Sequence, residues 1–352
     1  MVNQGTKGET KMNDIQKQRV GKTTAQVTRF GFGSAPLGDL FESISEDQAQ
    51  RTLQAAWDAG VRYFDTAPFY GYTKSEHRVG HFLRQQPRDE FVISTKVGRV
   101  FRATRNVATF DKGFWVGGLP FEFAVDFSYD GIMRSFEDSL QRLSLPSIDL
   151  LVIHDLDFYF HKHEPKVSAY LNQLFTSGWR ALDELRRHQL IRGVGAGINE
   201  LGMIPRFLEL VDLDFFLVAY GYNLLTQVML EKEFPLCAEQ GVSVIIGAVF
   251  ASGILATGAI PGARYFYAPA SEEMLEKTRR IEAICQRHQT PLPAAALQFL
   301  LANPLVAAII PGALAPEHVQ NNRKLLQHPI PSELWVELKR AGLLAEGAPT
   351  PR

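Results

Sequence analysis

Phe30-Gly31-Phe32-Gly33-Ser34-Ala35-Pro36 is the stretch on which the reading of the fold turns. It ends the first apolar run of the chain, where an open-sheet nucleotide-binding fold would carry the pattern GxGxxG. Gly31 and Gly33 begin that pattern, but Pro36 stands where its third glycine belongs. Gly193 and Gly195 begin it again, and there Ile198 fills the third position. Val20-Gly21-Lys22-Thr23 imitates a phosphate loop, yet Gln16 occupies the place of that motif's first glycine. No open-sheet fingerprint is completed.

Outward from this stretch, eight apolar runs follow one another, at residues 28–33, 61–65, 91–97, 149–154, 191–198, 215–220, 242–250 and 306–311. Each is nearly uniform rather than alternating, as strands covered on both faces are. Helical patterns lie between them. Ser45 with Gln48 three residues on forms a capping box, Leu53, Ala56 and Trp57 make the inner stripe, and Gly60 supplies a left-handed cap. Residues 129–143 place Ile132, Phe136, Leu140 and Leu143 on one helical face, and further helices are expected over 171–189, 202–211, 230–240, 272–289, 293–302, 316–326 and from Ser332. Eight strand–helix units without a linker predict a single-domain α/β fold, the (β/α)8 TIM barrel, over residues 18–352. An open doubly wound sheet is the competing architecture. Residues 1–17 are polar and read as a disordered or extraneous tail.

Composition narrows the classes of function. Among 352 residues, 37 Lys+Arg balance 38 Asp+Glu for a net charge of −1, so no basic field points to nucleic acid or an anionic membrane. No apolar run reaches the roughly 18–20 residues of a membrane span. Two cysteines, Cys237 and Cys285, cannot build a disulfide framework, which suits a cytoplasmic protein. His154, His161 and His163 have no cysteine or carboxylate at zinc spacing, so no metal is expected. Two loops break the rhythm. The segment 98–127 is rich in aromatics, including Trp115 and Phe127, and 155–169 follows the fourth strand. Long aromatic loops in a compact domain serve as lids or pocket walls, or pack on a neighbouring helix.

The chemistry sits at strand ends. In a parallel barrel the strand C-termini gather at one mouth. The second run ends in Tyr63-Phe64-Asp65, the third in Ser94-Thr95-Lys96 and the fourth in Val152-Ile153-His154, with Tyr70 five residues past Asp65. Singly, each has an ordinary explanation: a turn-forming Asp, a solvated Lys, a core His. On successive strands they converge, and lone buried charges would be costly unless paired. The chemistry that fits is proton transfer coupled to hydride transfer. Lys96 is expected to lower the Tyr70 pKa, Asp65 to hold the ammonium, and His154 to orient a substrate oxygen.

These residues resemble the aldo-keto reductase family. Phe64-Asp65-Thr66-Ala67-Pro68-Phe69-Tyr70-Gly71 with Ser75-Glu76, then Ser94-Thr95-Lys96, then Val152-Ile153-His154, are similar to the segments that hold its catalytic Asp, Tyr, Lys and His. Ile309-Ile310-Pro311-Gly312-Ala313, with Asn322 beyond, resembles its late cofactor signature. The resemblance implies the barrel, the tetrad Asp65, Tyr70, Lys96 and His154, and NAD or NADP bound across the mouth. It further implies cofactor contacts from Gly33, Ser34, Ala35, Asp65, Asn199, Phe250, Ser252, Leu255, Gly312, Ala313, Leu314, His318, Asn321 and Asn322. The aromatic that stacks on nicotinamide in the family falls on Gly247 here, so Tyr222 or Phe250 is expected to replace it. Gly312, Ala313, Leu314 and His318 offer few charged donors to a 2′-phosphate, which leans the expectation toward NAD. Phe69, Trp115 and Phe127 are the expected walls of the substrate pocket.

Tyr222-Asn223-Leu224-Leu225 and the segment 247–255 are similar to the subgroup of aldose 1-dehydrogenases and pyridoxal 4-dehydrogenases. That implies oxidation of a small cyclic hemiacetal or alcohol, or reduction of the matching carbonyl. Reduction of a larger ring ketone or aldehyde, and a barrel that senses nicotinamide redox state without turnover, are the alternatives. Trp335 and residues 338–352 either reach over the mouth or cover the outside of the barrel. The sequence leaves the oligomeric state open.

Overall fold

Because each apolar run is short and buried on both faces, it requires a partner strand on either side and helices outside. The computed structural model describes residues 15–351 and meets that requirement by closing the sheet. The eight strands are β1 (Phe32–Gly33), β2 (Tyr63–Asp65), β3 (Val92–Val97), β4 (Leu150–His154), β5 (Gly193–Ile198), β6 (Phe215–Val218), β7 (Ser243–Ile246) and β8 (Val306–Ile309). They pair in parallel in sequence order, and bridges Phe30–Ile309 and Gly33–Gly312 join the last strand to the first. Gly33 makes that closure possible: a Cβ there would lie 2.6 Å from the Ile310 carbonyl oxygen.

Helices alternate with the strands and bury their apolar stripes against them. The first, α1 (Glu46–Asp58), starts at Ser45, whose side chain accepts from the Gln48 amide, and Gly60 follows its end at φ 89°. Next come α2 (Lys74–Leu83) and α3 (Tyr129–Leu143), the latter burying Ile132, Phe136 and Leu143. The final helix, Ser332–Arg340, packs Trp335 on Phe299, and Ala345 donates to the Gln227 side chain. The C-terminal segment therefore covers the outside of the barrel.

Two cores result. The larger lies between strands and helices. The smaller fills the barrel, where Tyr63, Val92, Leu150, Val152, Phe215, Leu217 and Ile245 meet Val20, Ala25 and Val27. These last three come from an N-terminal hairpin, Lys17–Arg19 paired with Gln26–Thr28, that stoppers the end opposite the strand C-termini. Of the expected tail, residues 1–14 lie outside the described residues, and Lys17 already belongs to this hairpin.

Both expected loops contain regular structure. Within 98–127, Arg99–Ala103 pairs antiparallel with Phe121–Val125. Residues 155–169 are mostly helical. Asp157 caps Phe158–His161 through the Phe160 amide, and Glu164–Gln173 starts a helix that runs through a π turn at Leu174–Gly178 into Trp179–Arg187. The expectation of an open loop there fails because Asp157 and Pro165 both start helices.

Candidate active site

Strand alternation decides what faces the mouth. In β2 the inward set is Tyr63 then Asp65, in β3 Val92, Ser94 and Lys96, and in β4 Leu150, Val152 and His154. The same phase puts Gly33, Gly197, Leu217, Gly247 and Ile310 at the rim from the other five strands. All eight rim positions line one cavity of about 620 Å³. Three of them bring ionisable groups on adjacent strands; glycines flank these on either side, Gly33 beside Asp65 and Gly197 beside His154, and Gly247 leaves room farther round the rim.

The ionisable groups interlock. Lys96 Nζ donates to Asp65 Oδ2 at 2.6 Å and to the Thr66 carbonyl at 2.8 Å. Ser94 Oγ donates to Asp65 Oδ1 at 2.7 Å and lies 3.0 Å from the Tyr63 hydroxyl. Asp65 and Lys96 are both almost wholly buried. Burial pushes the carboxyl up and the ammonium down, and each partner's charge opposes the other's shift. Tyr70 stands over them on the turn after β2, with Lys96 Nζ 4.5 Å from its ring centroid and the His154 ring 5.8 Å away, edge to face.

The expected direction of the Tyr70 shift is overturned. Burial, and then the Asp65 and Asp155 carboxylates, push its phenol well above the ordinary range, with Arg99 pulling the other way. Lys96 sits over the ring face and does not offset them. His154 is pushed well below its ordinary value by burial, with Arg99 and Lys96 acting in the same sense and Asp155 against them. The free site thus holds a neutral phenol and a neutral imidazole.

A second group of residues was missed by sequence reasoning. Asp155 follows His154 with φ 48°, a left-handed turn that swings its carboxylate back to the cavity. His154 Nε2 lies 3.3 Å from Asp155 Oδ2, and Arg99 from the loop hairpin lies 3.0 Å from that oxygen. Arg99 is 3% exposed, sandwiched between Phe69 and Phe160 at 4.5 and 4.2 Å. The only advance signal was the adjacency of Asp155 to His154.

Of the residues expected to bind cofactor or substrate, Gly33, Ala35, Asn199, Phe250, Ser252, Gly312, Ala313, Leu314, His318, Phe69 and Trp115 line the cavity. Others are placed elsewhere. Tyr222 packs between Phe234 and Phe299, two residues on from Tyr220, which does line the cavity. The Phe127 ring packs on Tyr170, Leu255 belongs to the outer core, and Ser34 is bonded to Ser75. Asn321 and Asn322 sit on the helix Pro316–Leu325, outside the cavity lining.

A dinucleotide fits this donor set. Asn199 gives its amide hydrogens to Asp155 and Asp157, both at 2.9 Å, so what it offers a ligand is its carbonyl oxygen, suited to a carboxamide N–H. Glycine positions open the floor, and Tyr220, Phe250 and Tyr267 supply ring faces above it. His161 is packed between Phe160 and Tyr170.

Known proteins share this plan. The sequence profile described as "Aldo/keto reductase family" matches residues 29–342. Pyridoxal 4-dehydrogenase of Microbacterium luteolum is 42% identical, covering 94% of this chain and 98% of that one. D-threo-aldose 1-dehydrogenase of a Pseudomonas species is 38% identical, covering 92% and 96% respectively. The fold also matches an aldo-keto reductase from Bacillus halodurans in its holo form, with a TM-score of 0.71 at 24% identity over 93% of this chain and 96% of that one. On the profile match, the two relatives and the barrel, this chain belongs to the aldo/keto reductase family and is an NAD(P)-dependent oxidoreductase.

Proposed function

We propose that the enzyme oxidises a small cyclic hemiacetal, an aldose or pyridoxal, to the lactone, and runs the matching carbonyl reduction in reverse. The observation that carries this is the convergence of Asp65, Lys96, Tyr70 and His154 on one wall of a cavity otherwise framed by aromatic rings. Phe69, Phe114, Trp115, Tyr159 and Phe160 present flat apolar surface to a ring-shaped substrate. The relatives named for pyridoxal and aldoses support the same class.

Nicotinamide bound across the mouth supplies the hydride acceptor or donor. His154, as a neutral imidazole, donates from Nε2 to the reacting oxygen and fixes its direction. Tyr70 exchanges a proton with that oxygen: its phenol gives the proton in reduction, and its phenolate, formed after the phenol has released its proton to solvent, takes the hydroxyl proton in oxidation. Lys96, held by Asp65 and Thr66, stabilises negative charge as it develops on Tyr70. Asn199 holds the carboxamide, and Tyr220 and Phe250 are the aromatics placed to cover the nicotinamide.

The preferred cofactor is NAD. Among the described residues, the lysines lining the cavity are Lys96 and Lys162, both on the side of β3 and β4. The Gly312–Leu314 end has only His318 to meet a 2′-phosphate. Steady-state turnover of pyridoxal, L-fucose and ring ketones with each cofactor tests both statements. Lactone formation with NAD at a kcat/KM at least tenfold above NADP is expected. Ring-ketone reduction without hemiacetal oxidation would overturn the substrate class, and preference for NADP would overturn the cofactor assignment.

A further inference from the structure

We infer that Asp155 is a specificity-determining residue, whose carboxylate accepts a hydrogen bond from a hydroxyl on the carbon next to the reacting one. Favoured substrates are then α-hydroxy carbonyl compounds and their hemiacetals, the aldoses of the proposed function and not pyridoxal, rather than simple aldehydes. This rests on the reading above that reaction occurs beside Tyr70 and His154.

The geometry of the carboxylate carries the argument. Oδ1 accepts from Asn199 Nδ2 at 2.9 Å, and Oδ2 faces Arg99 and His154 at 3.0 and 3.3 Å. Asn199 and Arg99 fill two of about four acceptor positions on an ionised carboxylate, and the His154 ring nitrogen lies beside Oδ2 without a hydrogen bond to it. The side chain keeps 18% of its surface exposed and lines the cavity, so an open position is available to a ligand. An oxygen bonded to Nε2 and a neighbouring hydroxyl bonded to Oδ2 then stand about as far apart as the two protein atoms do. Gauche vicinal oxygens also lie about one hydrogen-bond length apart, so an α-hydroxy carbonyl spans the His154–Asp155 pair as a two-pronged ligand.

The surroundings are built to keep this acceptor charged and aimed. Burial pushes the Asp155 carboxyl up, but the Arg99 guanidinium and the bond from Asn199 outweigh it and hold it below its ordinary value. Arg99 is committed to that single carboxylate, since its Nε and Nη1 are buried without a hydrogen-bond partner. Asp157 lies close enough to Asp155 to be raised to about 6, burial being the larger cause. A left-handed Asp, an under-satisfied buried guanidinium and two neighbouring carboxylates each cost stability. Clustered at a ligand cavity, they are the kind of local conflict that a functional site retains.

The test compares matched substrate pairs, glycolaldehyde against acetaldehyde and L-fucose against its 2-deoxy analogue, in the wild-type enzyme, Asp155→Ala and Asp155→Asn. The wild type is expected to favour the hydroxylated member by about 30-fold or more in kcat/KM. Asp155→Ala should collapse that ratio to about threefold or less, through a rise in KM for the hydroxylated member that the unsubstituted member does not share. Asp155→Asn, which keeps one acceptor oxygen, should fall between. NAD binding measured by tryptophan quenching checks that each variant folds. An unchanged ratio, or an equal fall in kcat for both members, overturns the inference while leaving the proposed function standing. Turnover of pyridoxal but of none of these substrates overturns the inference alone, and failure to turn over these and pyridoxal overturns both.

Discussion

The two ends of the barrel use the same residue type for different ends. At the closed end, Asp149 and Asp214 precede β4 and β6. Asp149 Oδ2 accepts from the Ile93 amide at 2.9 Å and pairs with Arg88 at 2.8 Å, while Asp214 Oδ2 accepts from the Val194 amide at 2.9 Å. Each carboxylate binds a backbone amide of the neighbouring strand and pairs with arginine, Asp149 with Arg88 and Arg192 and Asp214 with Arg186. At the open end, Asp65 binds the Lys96 and Ser94 side chains, and Asp155 meets Arg99, His154 and Asn199. Nearly complete burial is common to Asp65, Asp149 and Asp214. What separates a structural from a chemical carboxylate here is therefore its company: backbone amides and arginines that keep their state at the closed end, and a lysine or histidine that can exchange a proton at the open end.

That contrast can be broken by substitution, and the largest effect belongs to the open end. Tyr70→Phe removes the exchangeable proton without removing the ring, so kcat should fall at least 10³-fold with NAD binding within about twofold. Single-turnover kinetics and a cofactor titration check this. Lys96→Met should follow at about 10²-fold or more in kcat, and a shifted pH–rate profile would separate it from mere loss of packing. At the closed end, Asp149→Ala orphans the Ile93 amide and two arginines and should cost about 3 kcal/mol in urea unfolding. The folded fraction should keep kcat within about twofold. A large kcat loss there would erase the distinction between the ends.

The smallest effect is in the pH dependence of stability. The unfolded chain protonates His154 near its ordinary pKa of about 6.5, whereas the folded site holds it well below that. Below that pH the unfolded state binds more protons, so acidification from pH 7 to 5 should destabilise the protein through this residue. His154→Gln should flatten the slope by up to one proton over that window, with a residue of slope from His161, which burial lowers to about 4. An unchanged slope would place the protonation elsewhere.

The legible part of the fold was the part governed by burial and periodicity. All eight strands fall inside the expected apolar runs, because a run covered on both faces has few alternatives. Asp65, Lys96 and His154 were legible for the same reason: each continues the inward phase of its own strand. Asp155 was hidden because it leaves that phase, and only a left-handed turn returns it to the cavity. Tyr222 was chosen over Tyr220 where no periodicity beyond the end of β6 distinguishes them. Arg99 required knowledge that 99–103 and 121–125 pair across an aromatic loop, and nothing local to either segment announces that partner.

The N-terminal hairpin has a consequence for traffic. With Val20, Ala25 and Val27 corking the base and side chains filling the shaft, no water wire runs through the axis of the molecule. By the proposed function, the proton set free in an oxidation leaves by the doorway that admits the substrate, so its escape is tied to the opening of that doorway.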